Sequence, residues 1–462
     1  MTLNSNPRQI AFLALKDIYY RGVFADIALD QQLNKTTLKP ADRRLATELI
    51  YGCVRRMRSL DAVIDQLAKK PAQQQQAEVR IILHLGLYQL GYLTQIPPAA
   101  AVDTTVELAR TNQLGGLTGF VNGTLRQYLR KFPDVKTLAQ SRSPFFEGFK
   151  WPDNLVEQLG IAYNFPDWLI QLWLDQLGLV ETEQLCQWFN QTPMIDLRVN
   201  RLKTTLEDVE AAFQSADIPT QRLPYLSHAL RLKTGIGSIQ QWPGYQQGWW
   251  MVQDSSAQLV SRLLNPQPGE LVIDACAAPG GKTVHIAELM NDQGIILAFD
   301  KIKSRLKKLQ QNLDRLQIRS VQVETADVLK IQPKSPTADR LLLDAPCSGL
   351  GTLHRRADAR WRHTPENVQT LAQSQIQLLQ HVSTWVKPGG CLVYATCTLH
   401  PAENEQVIQT FLQKNAQWRI EFPGSKFADW ITPEGWIKVW PHKHQMDGFF
   451  IVKLRQDPEH AS

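Results

Sequence analysis

From about residue 246 onward, short apolar runs alternate with stretches of helical periodicity. Helices are predicted near 283–290, 304–316, 366–386 and 403–414, and the apolar runs between them lie at 271–273, 295–299, 321–323, 341–343, 392–394 and 449–454. Buried strands that alternate with helices are typical of a doubly wound parallel sheet. We therefore predict an α/β domain over residues 246–462.

The front of the chain shows only the helical period. From Arg8 to about Arg130, apolar residues recur three or four positions apart, as in Ala11, Leu15 and Ile18. This pattern predicts an all-α bundle over residues 1–140. The polar stretch 73–76 is predicted to be an interhelical loop, residues 96–98 to end one helix, and residues 119–122 to open the last one.

Between these two regions the pattern is mixed. A linker around Ser141 to Pro144 leads to residues 151–245, where the beginning is helical and shorter strand-like runs follow near 197–200 and 230–232. We predict a small α+β module here. A chain of 462 residues is too long for one hydrophobic core, so three domains are expected.

Composition narrows the class of protein. No run of about 18 apolar residues occurs and the first ten residues are polar, so we expect no membrane span, no signal peptide and a cytoplasmic protein. The six cysteines show no C-x-x-C spacing, which argues against disulfides and structural zinc. His442 and His444 lack a third ligand, so no metal is expected.

Positive charge is concentrated at the front of the chain. The net charge is +6, and residues 1–140 carry 18 Lys and Arg against 11 Asp and Glu. A basic excess favours polyanions such as nucleic acid, although it also occurs on ordinary solvated helices. Arg355, Arg356, Arg360 and Arg362 form a further basic run that suits phosphate contacts.

Two cysteines follow apolar runs in the same way. Cys347 comes shortly after 341–343, and Cys397 comes shortly after 392–394. Ligands of open α/β sheets bind just outside the carboxyl ends of the strands. If both strands belong to one sheet, the two thiols face the same crevice.

A glycine-rich turn, DACAAPGGKT (residues 274–283), joins the first strand of the α/β domain to its helix. Such turns bring a ligand close to the backbone and to the helix N-terminus. A phosphate loop is one hypothesis, but Cys276 stands where its first glycine is needed and Pro279 removes an N–H donor. A nicotinamide site is another; Asp300 suits it, but G-x-G-x-x-G is absent.

S-adenosylmethionine is the third hypothesis, because it carries ribose hydroxyls but no phosphate. Asp300, at the end of the second strand, can accept both ribose hydroxyls. Asp327, after the third strand, can accept the adenine amino group, and the 276–282 turn can hold the amino-acid end.

Three motifs in order carry a family resemblance. DACAAPGGKT (274–283), DAPCSG (344–349) and YATCT (394–398) resemble the motif set of the RNA cytosine-C5 methyltransferases, and VQDSS (252–256), KPGG (387–390), PAENE (401–405) and DGFF (447–450) continue the match. The resemblance implies a Rossmann-like class I methyltransferase domain. Its implied cofactor residues are Cys276, Ala277, Ala278, Pro279, Gly280, Gly281, Lys282, Asp300, Arg305, Asp327 and Asp344.

The front of the chain resembles the NusB-like helical domain fused to bacterial small-subunit rRNA methyltransferases of the RsmB type. The matching segments are ADR (41–43), LGLYQL (85–90), IPPAAAV (96–102) and GFVNGTLR (119–126). The resemblance implies methylation of C5 of a cytosine in 16S rRNA, with RNA as the partner. We expect a monomer with no membrane or DNA partner.

Spacing alone does not say which thiol attacks the cytosine. The RNA family uses the Thr-Cys thiol, so the resemblance assigns Cys397 as the nucleophile and Cys347 to the base or product-release role. Asp344 is expected to contact N3 as an acid, which requires a raised pKa. A non-catalytic RNA-binding assembly factor and an NTPase remain the alternative functions.

Overall fold

The computed structural model describes residues 6–132, 148–232, 239–332 and 337–458. Contacts divide the chain into two compact units. The first comprises Met1–Gln191 with Leu353–Arg362, and the second comprises Thr192–Thr352 with His363–Ser462. The linker predicted around Ser141 to Pro144 lies outside the described residues.

The front of the first unit is helical, as predicted. Its helices are α1 (Pro7–Arg21), α2 (Ala25–Leu33), α3 (Pro40–Arg55), α4 (Met57–Leu67), α5 (Ala77–Tyr92), α6 (Pro98–Thr111) and α7 (Thr118–Lys131). The polar stretch 73–76 lies in the connection between α4 and α5. Helix α6 begins at Pro98, where a missing N–H costs nothing because the first helical N–H groups have no intrahelical partner.

The apolar spacing read from the sequence forms the core of this bundle. Ala11, Leu15, Leu49 and Ile81 are fully buried, and Leu45 is partly buried against them. The first helix is also capped at both ends: the Asn6 side chain accepts from an N–H of the first turn, and the helix ends in a left-handed glycine.

Two further helices complete the chain of the first unit up to residue 191. They are α8 (Leu155–Tyr163) and α9 (Asp167–Phe189). Helix α9 is interrupted at Gly178, whose φ of 72° is readily adopted only by glycine. The helical beginning predicted for residues 151–245 is therefore confirmed.

The segment Leu353–Arg362 belongs to the first unit, although the strands on either side of it in sequence belong to the second. The Asp358 carboxylate accepts from the Ala25 N–H at 3.1 Å, and the Trp361 indole donates to the Val54 carbonyl at 2.9 Å. The segment that follows the Cys347 loop is thus tied into the helical bundle by side-chain hydrogen bonds.

These contacts overturn the prediction that Arg360 binds phosphate. Its side chain is fully buried, where it donates to the carbonyl groups of Asn164, Phe189 and Leu353 and lies 4.2 Å from the ring centroid of Phe165. A guanidinium group has five N–H donors, and here the terminal nitrogens have acceptors within the first unit whereas the buried Nε has none.

Arg362 is likewise engaged within the first unit. It donates to the carbonyl groups of Gly22 and Val23 and pairs with Asp358 at 2.9 Å. Arg356 is exposed and Arg355 is half-buried, so for these two the phosphate role stays a prediction.

The second unit begins with a small antiparallel sheet in the strand order β2-β3-β1-β4. Its elements are β1 (Ile195–Val199), α10 (Leu206–Ser215), β2 (Thr220–Arg222), β3 (Ala229–Leu232) and β4 (Trp250–Val252). The strands predicted near 197–200 and 230–232 are confirmed as β1 and β3, which pair with each other.

The larger sheet has eight strands in the order β10-β12-β9-β8-β5-β6-β7, with β11 paired to β12. The strands are β5 (Leu271–Asp274), β6 (Ile295–Asp300), β7 (Val321–Thr325), β8 (Ala338–Asp344), β9 (Val386–Thr396), β10 (Trp418–Ile420), β11 (Ile437–Val439) and β12 (Phe449–Gln456). The helices are α11 (Ser255–Leu264), α12 (Gly281–Leu289), α13 (Lys303–Leu316), α14 (Pro365–Ser383), α15 (Glu405–Lys414) and α16 (Pro441–His444). All six predicted strands and all four predicted helices are present.

The sheet is mixed rather than parallel throughout. Strands β5 to β9 pair in parallel, but β12 runs antiparallel to β9, and β10 and β11 run antiparallel to β12. The apolar pattern predicts which strands are buried but not whether neighbouring strands run parallel or antiparallel, so the sequence could not predict this difference. Because β5, β8 and β9 are neighbouring parallel strands, their carboxyl ends meet at one edge of the sheet.

Candidate active site

The glycine-rich turn lies at the end of β5 and leads directly into α12. Gly280 has a φ of 104°, and a Cβ there would come within 2.4 Å of the Leu309 side chain. Both the backbone conformation and the space therefore require glycine. Asp274, the last residue of β5, is buried and accepts from the Thr283 hydroxyl at 2.7 Å, which ties the two ends of the turn together.

Two of the predicted cofactor residues brace this turn from the end of β6. The Asp300 carboxylate accepts from the Ala278 N–H at 3.3 Å and from the Ile302 N–H at 2.8 Å. Arg305 donates to the Ala278 carbonyl at 2.8 Å and lies 3.6 Å from the Asp300 carboxylate. A carboxylate has about four lone-pair sites, so Asp300 keeps acceptor capacity for a ligand.

Asp327 lies after β7, next to the end of β6. The N–H of Ala326 donates to the Asp300 carbonyl at 3.1 Å, which brings Asp327 to the same edge of the sheet. One Asp327 oxygen accepts from the Leu329 N–H at 3.2 Å, so this half-buried carboxylate caps a short 3-10 helix.

A cavity of about 620 Å³ opens beside the turn. Among the predicted cofactor residues, those that line it are Cys276, Ala277, Ala278, Pro279, Gly281, Lys282 and Asp344. Asp300, Arg305 and Asp327 do not line it, and neither does Gly280. The volume lies in the range of small-molecule sites.

Three buried polar atoms of residues that line this cavity have no hydrogen-bond partner. They are two donors, Nε2 of Gln253 and Nε of Arg315, and Oδ1 of Asp274. Buried polar atoms are normally paired, so an orphaned donor and an orphaned oxygen beside a cavity fit a ligand with both acceptor and donor groups. The amino-acid end of S-adenosylmethionine has a carboxylate and an ammonium group, which meets this requirement.

Lys282 and Asp344 form an ion pair at the mouth of the cavity. The Lys282 Nζ lies 2.7 Å from an Asp344 carboxylate oxygen and 5.0 Å from the ring centroid of Phe449. Burial lowers the pKa of Lys282, but the Asp344 carboxylate, with Cys397 and Asp274, raises it by more. The acid role expected of Asp344 at N3 stays a prediction.

The two strand-end thiols meet. The Sγ atoms of Cys347 and Cys397 are 3.4 Å apart, within sulfur hydrogen-bond distance and too far for a disulfide bond. Strands β8 and β9 pair in register from Arg340 to Asp344, so the two loops leave the sheet side by side. The sequence expectation of one shared crevice is confirmed.

Glu403 links the two thiol loops. It is fully buried and accepts from the Ser348 N–H at 2.9 Å and from the Ser348 hydroxyl. The same hydroxyl contacts the Thr398 hydroxyl at 2.9 Å, next to Cys397. Gln375 donates to Glu403 at 3.0 Å and to the Pro346 carbonyl at 2.9 Å, which closes the network around Cys347.

The thiols at this edge of the sheet differ in their surroundings. The hydrogen bond to Cys397 raises the pKa of Cys347, and burial and the negative charge of Glu403 raise it further. Burial, with Asp274 and Asp344, raises the pKa of Cys276. Both thiols therefore hold their protons at neutral pH, so Cys276 offers the turn its backbone and not a reactive sulfur.

Three residues of this site carry no clear signal in the sequence. Asp274 and Glu403 lay within the quoted motifs without a role, and Gln253 lay in the segment before the sheet. Burial raises the pKa of Asp274 to about 7, although the Thr283 hydrogen bond opposes this. In the sequence, only the position of Asp274 at the end of the first strand of the α/β domain could have indicated a role for it.

Nowhere in the ranges that the structure describes do three or more His, Cys, Asp or Glu side chains come together as they would to hold a metal ion. None of the helices described is long and apolar enough to cross a membrane.

Three family models match the chain. The 16S rRNA methyltransferase RsmB/F model matches residues 261–455, the NusB family model matches residues 5–130, and the RsmF/B-like ferredoxin-like domain model matches residues 165–238. The small antiparallel sheet of the second unit overlaps the last of these.

Several curated proteins are similar over the whole length. A Synechocystis protein named "Probable ribosomal RNA small subunit methyltransferase B" is 46% identical over 461 residues, 98% of this chain and 99% of that protein. The ribosomal RNA small subunit methyltransferase B of Serratia proteamaculans is 34% identical, with 98% and 99% covered.

Solved structures agree with the fold. The crystal structure of PH0851 has a TM-score of 0.78 at 28% identity and covers 97% of each chain. A methyltransferase homologue from Pyrococcus horikoshii has a TM-score of 0.58 at 28% identity, covering 66% of this chain and all of that one. A NusB domain, a ferredoxin-like module and a Rossmann-like methyltransferase domain therefore follow one another here, and the chain belongs to the ribosomal RNA small subunit methyltransferase B family.

Proposed function

We propose that this chain transfers a methyl group from S-adenosylmethionine to C5 of a cytosine in 16S rRNA. The observation that carries the proposal is the pair of thiols 3.4 Å apart at the ends of β8 and β9, beside the Lys282–Asp344 ion pair. The names of the relatives, which are small-subunit rRNA methyltransferases, support an RNA substrate.

The residues at the edge of the sheet suit this cofactor. Asp300 would hold the ribose hydroxyls, Asp327 the adenine amino group, and the 276–282 turn with Gln253 the amino-acid end. Arg305, which donates to the turn and faces Asp300, would keep both in position. S-adenosylmethionine, when bound, supplies an electrophilic methyl group. No phosphate cradle is needed, which agrees with Pro279 inside the turn.

Cytosine C5 is a weak nucleophile, so the ring must first be activated by covalent addition. The Cys397 sulfur forms a bond to C6, and the thiol proton passes to N3, so that electron density moves to C5. The positive charge of Lys282 stabilises the negative charge that develops on the Cys397 sulfur as its proton leaves, because the two groups are close enough to interact electrostatically. Cys397 is therefore the nucleophile in this proposal.

Asp344 acts on the opposite side of the base. As a carboxylate paired with Lys282, it accepts from the cytosine amino group and from N3 once N3 carries its proton. This revises the expected acid role: the residue stabilises the protonated ring instead of supplying the proton.

Release reverses the addition. C5 has taken the methyl group, and a base removes the C5 proton so that the C5–C6 double bond forms again. The Sγ–C6 bond breaks with its electron pair returning to Cys397, and the proton on N3 returns to that sulfur. Cys347, which keeps its own proton, donates an S–H hydrogen bond to the departing thiolate. A thiol that holds its proton is suited to this role and poorly suited to accept the C5 proton, so we assign Cys347 to product release.

The target base must leave its stack before this chemistry can begin. C5 and C6 of a paired or stacked cytosine are unreachable for a buried thiol, so the nucleotide has to turn out of the RNA. Cys347 and Cys397 are both half-buried at the edge of the sheet, so we place the extruded base there.

The test uses RNA in which the target cytosine is replaced by 5-fluorocytosine. Fluorine cannot leave as a cation, so the adduct persists and migrates as a protein–RNA complex on a denaturing gel. We expect the wild-type protein and Cys347→Ser to form it and Cys397→Ser to form none. An adduct that survives Cys397→Ser and disappears in Cys347→Ser reverses the assignment.

The alternative functions are separated by calorimetry on the full chain. Titration with S-adenosylmethionine and with ATP should give binding of the first ligand alone. Binding of neither supports a non-catalytic assembly factor, and binding of ATP supports an NTPase. The pairing of Lys282 with Asp344 weighs against the NTPase, because the lysine of a phosphate loop must be available to phosphate.

A further inference from the structure

A second cavity, of about 730 Å³, lies in the second unit. It shares no lining residue with the cavity beside the glycine-rich turn, which we call the cofactor cavity. We call it the basic cavity and define it by Arg198, Arg201, Arg262, His285 and Lys426, which line it. These residues come from the end of β1, from α11 and α12, and from the segment that follows β10. None of them was singled out from the sequence.

The carboxylates that line the basic cavity are already engaged. Glu288 takes the Arg198 guanidinium in two bonds of 2.9 Å, and Glu421 pairs with Lys453 at 2.8 Å and with Arg455. Across the residues that the structure describes, Arg201, Arg262 and Lys426 have no carboxylate within ion-pair distance. The cavity therefore carries uncompensated positive charge.

The cations also repel one another. Burial lowers the pKa of Arg262, and the charges of Arg201 and Arg198 lower it further. Burial likewise lowers the pKa of His285, with Arg198 and Arg262 adding to the effect. Like charges held together in a folded protein destabilise it, so their presence points to a ligand that neutralises them.

Buried polar atoms of the same cavity lack partners. The His285 side chain is 4% exposed, and its Nδ1 has no hydrogen-bond partner. The Nε of Arg262 is also unpaired, while its terminal nitrogen donates to the Ser227 hydroxyl at 3.2 Å. An orphaned buried group in a cavity wall is the usual mark of a missing ligand or solvent molecule.

Aromatic side chains stand beside these cations. Phe422 is 63% exposed, which is unusual for so large an apolar group, and Tyr225 and Phe427 line the same cavity. Cations for phosphate beside an aromatic face for a base are the combination found in single-strand nucleic-acid sites. The volume suits one nucleotide.

We propose that the basic cavity binds a phosphate-bearing ribonucleotide, with Arg201 and Arg262 at the phosphate and Phe422 against the base. In its favoured form the nucleotide is one unit of the RNA substrate, which rests on the proposed function. A free nucleotide offers the same chemistry, and the experiment distinguishes the two sources.

The test measures binding by the full chain of a fluorescent single-stranded RNA, by anisotropy, at several salt concentrations, with AMP as competitor. Arg201→Ala should weaken RNA binding about tenfold at low salt and reduce the slope of log K against log[salt] by about 0.7, because one phosphate contact is lost. Phe422→Ala should weaken it roughly fivefold or more without changing the slope. Lys414→Ala, an exposed cation outside both cavities, is the matched control and should change neither.

Thermal unfolding separates binding from structure. Arg201→Ala removes a repelled charge, so its Tm should equal or exceed that of the wild type, and a lower Tm counts against the proposal. Loss of AMP binding with RNA binding unchanged assigns the cavity to a free nucleotide. Unchanged binding of both RNA and AMP in both variants overturns the proposal.

The outcome is independent of the methylation assay. If the chain binds RNA through Arg201 but forms no adduct at Cys397, the proposal for the basic cavity stands and the proposed function fails. If the chain methylates RNA and the variants Arg201→Ala and Phe422→Ala bind RNA and AMP normally, the proposed function stands and the proposal for the basic cavity fails.

Discussion

Cys347 and Cys397 occupy equivalent places in the sheet, yet they lie next to opposite charges. Each follows the carboxyl end of one of two adjacent parallel strands, and their sulfur atoms touch. Cys397 is near the ammonium group of Lys282, whereas Cys347 is near the buried carboxylate of Glu403. Position in the fold therefore makes a site with two thiols, and the neighbouring charges give them different chemistry.

The two charges arrive from different parts of the chain. Lys282 comes from the glycine-rich turn after β5, which also forms a wall of the cofactor cavity. Glu403 comes from the short 3-10 helix that follows the Cys397 loop. The thiol that interacts with this lysine is thus Cys397, which supports its proposed role as the nucleophile.

The largest expected effect comes from removing Cys347, to which we assign product release. Cys347→Ala takes away the S–H donor to the departing Cys397 thiolate while leaving the nucleophile and Lys282 in place. We expect multiple turnover to fall by roughly a hundredfold or more, a range typical of lost proton-donor groups. The covalent RNA adduct should accumulate with ordinary cytosine, as seen on a denaturing gel.

Cys347→Ser is the matched control for that experiment. Its hydroxyl can still donate a hydrogen bond, so it should release product faster than the alanine variant. If Cys347→Ala turns over normally and no adduct accumulates, Cys347 does not assist product release, and the charges near the two thiols do not assign them different roles.

The apolar pattern was sufficient to predict that Cys347 and Cys397 lie close together. The runs 341–343 and 392–394 became β8 and β9, and the turn at 274–283 became the predicted strand-to-helix loop. Those features are local, because a strand needs only its own apolar residues to be recognised. The short strands β10 and β11 were missed because three residues carry too little periodicity.

Charge partners were the part that sequence could not provide. Glu403 meets Ser348, which lies 55 positions earlier, and Arg360 meets Asn164, which lies 196 positions earlier. An exposed arginine and a buried arginine look alike in a sequence, because only tertiary contacts decide which of them has carbonyl partners. The error at Arg360 and the omission of Glu403 have this one cause.

A smaller effect is expected at Glu403, where charge and hydrogen bonding can be separated. Glu403→Gln keeps the oxygen that accepts from Ser348 and Gln375, and its amide can donate to the Ser348 hydroxyl. It removes only the negative charge that raises the pKa of Cys347. We expect the variant to fold normally and Cys347 to be alkylated several-fold faster by iodoacetamide, as measured by peptide mass spectrometry.

Glu403→Ala removes the hydrogen bonds as well. Several buried donors lose their acceptor, so the free energy of unfolding should fall by about 3 kcal/mol in a denaturant titration. Equal loss of stability in the Gln and Ala variants would mean that the charge itself holds the loops. If Glu403→Gln leaves the alkylation rate of Cys347 unchanged, the charge of Glu403 does not set the reactivity of Cys347.

The smallest effect on methylation is expected at Asp274, on the Cys397 side of the comparison. Burial raises the pKa of this carboxyl group from 3.8 to about 7. Between these values the folded protein holds a proton that the unfolded chain releases, so stability conferred by the neutral group is lost as pH rises from about 4 to 7. Asp274→Asn cannot ionise and should not show this loss.

The measurement is the free energy of unfolding of both proteins at several pH values. The wild type should lose up to about 1.4 kcal/mol per pH unit relative to Asp274→Asn within this window, and the difference should level off above it. Methylation at neutral pH should change by no more than about twofold, because an Asp274 with a pKa of about 7 is only about half ionised there and contributes part of a charge to Lys282. Parallel stability curves would instead mean that Asp274 is ionised in the folded protein, in which case Lys282 faces two carboxylates and its charge is less available to Cys397.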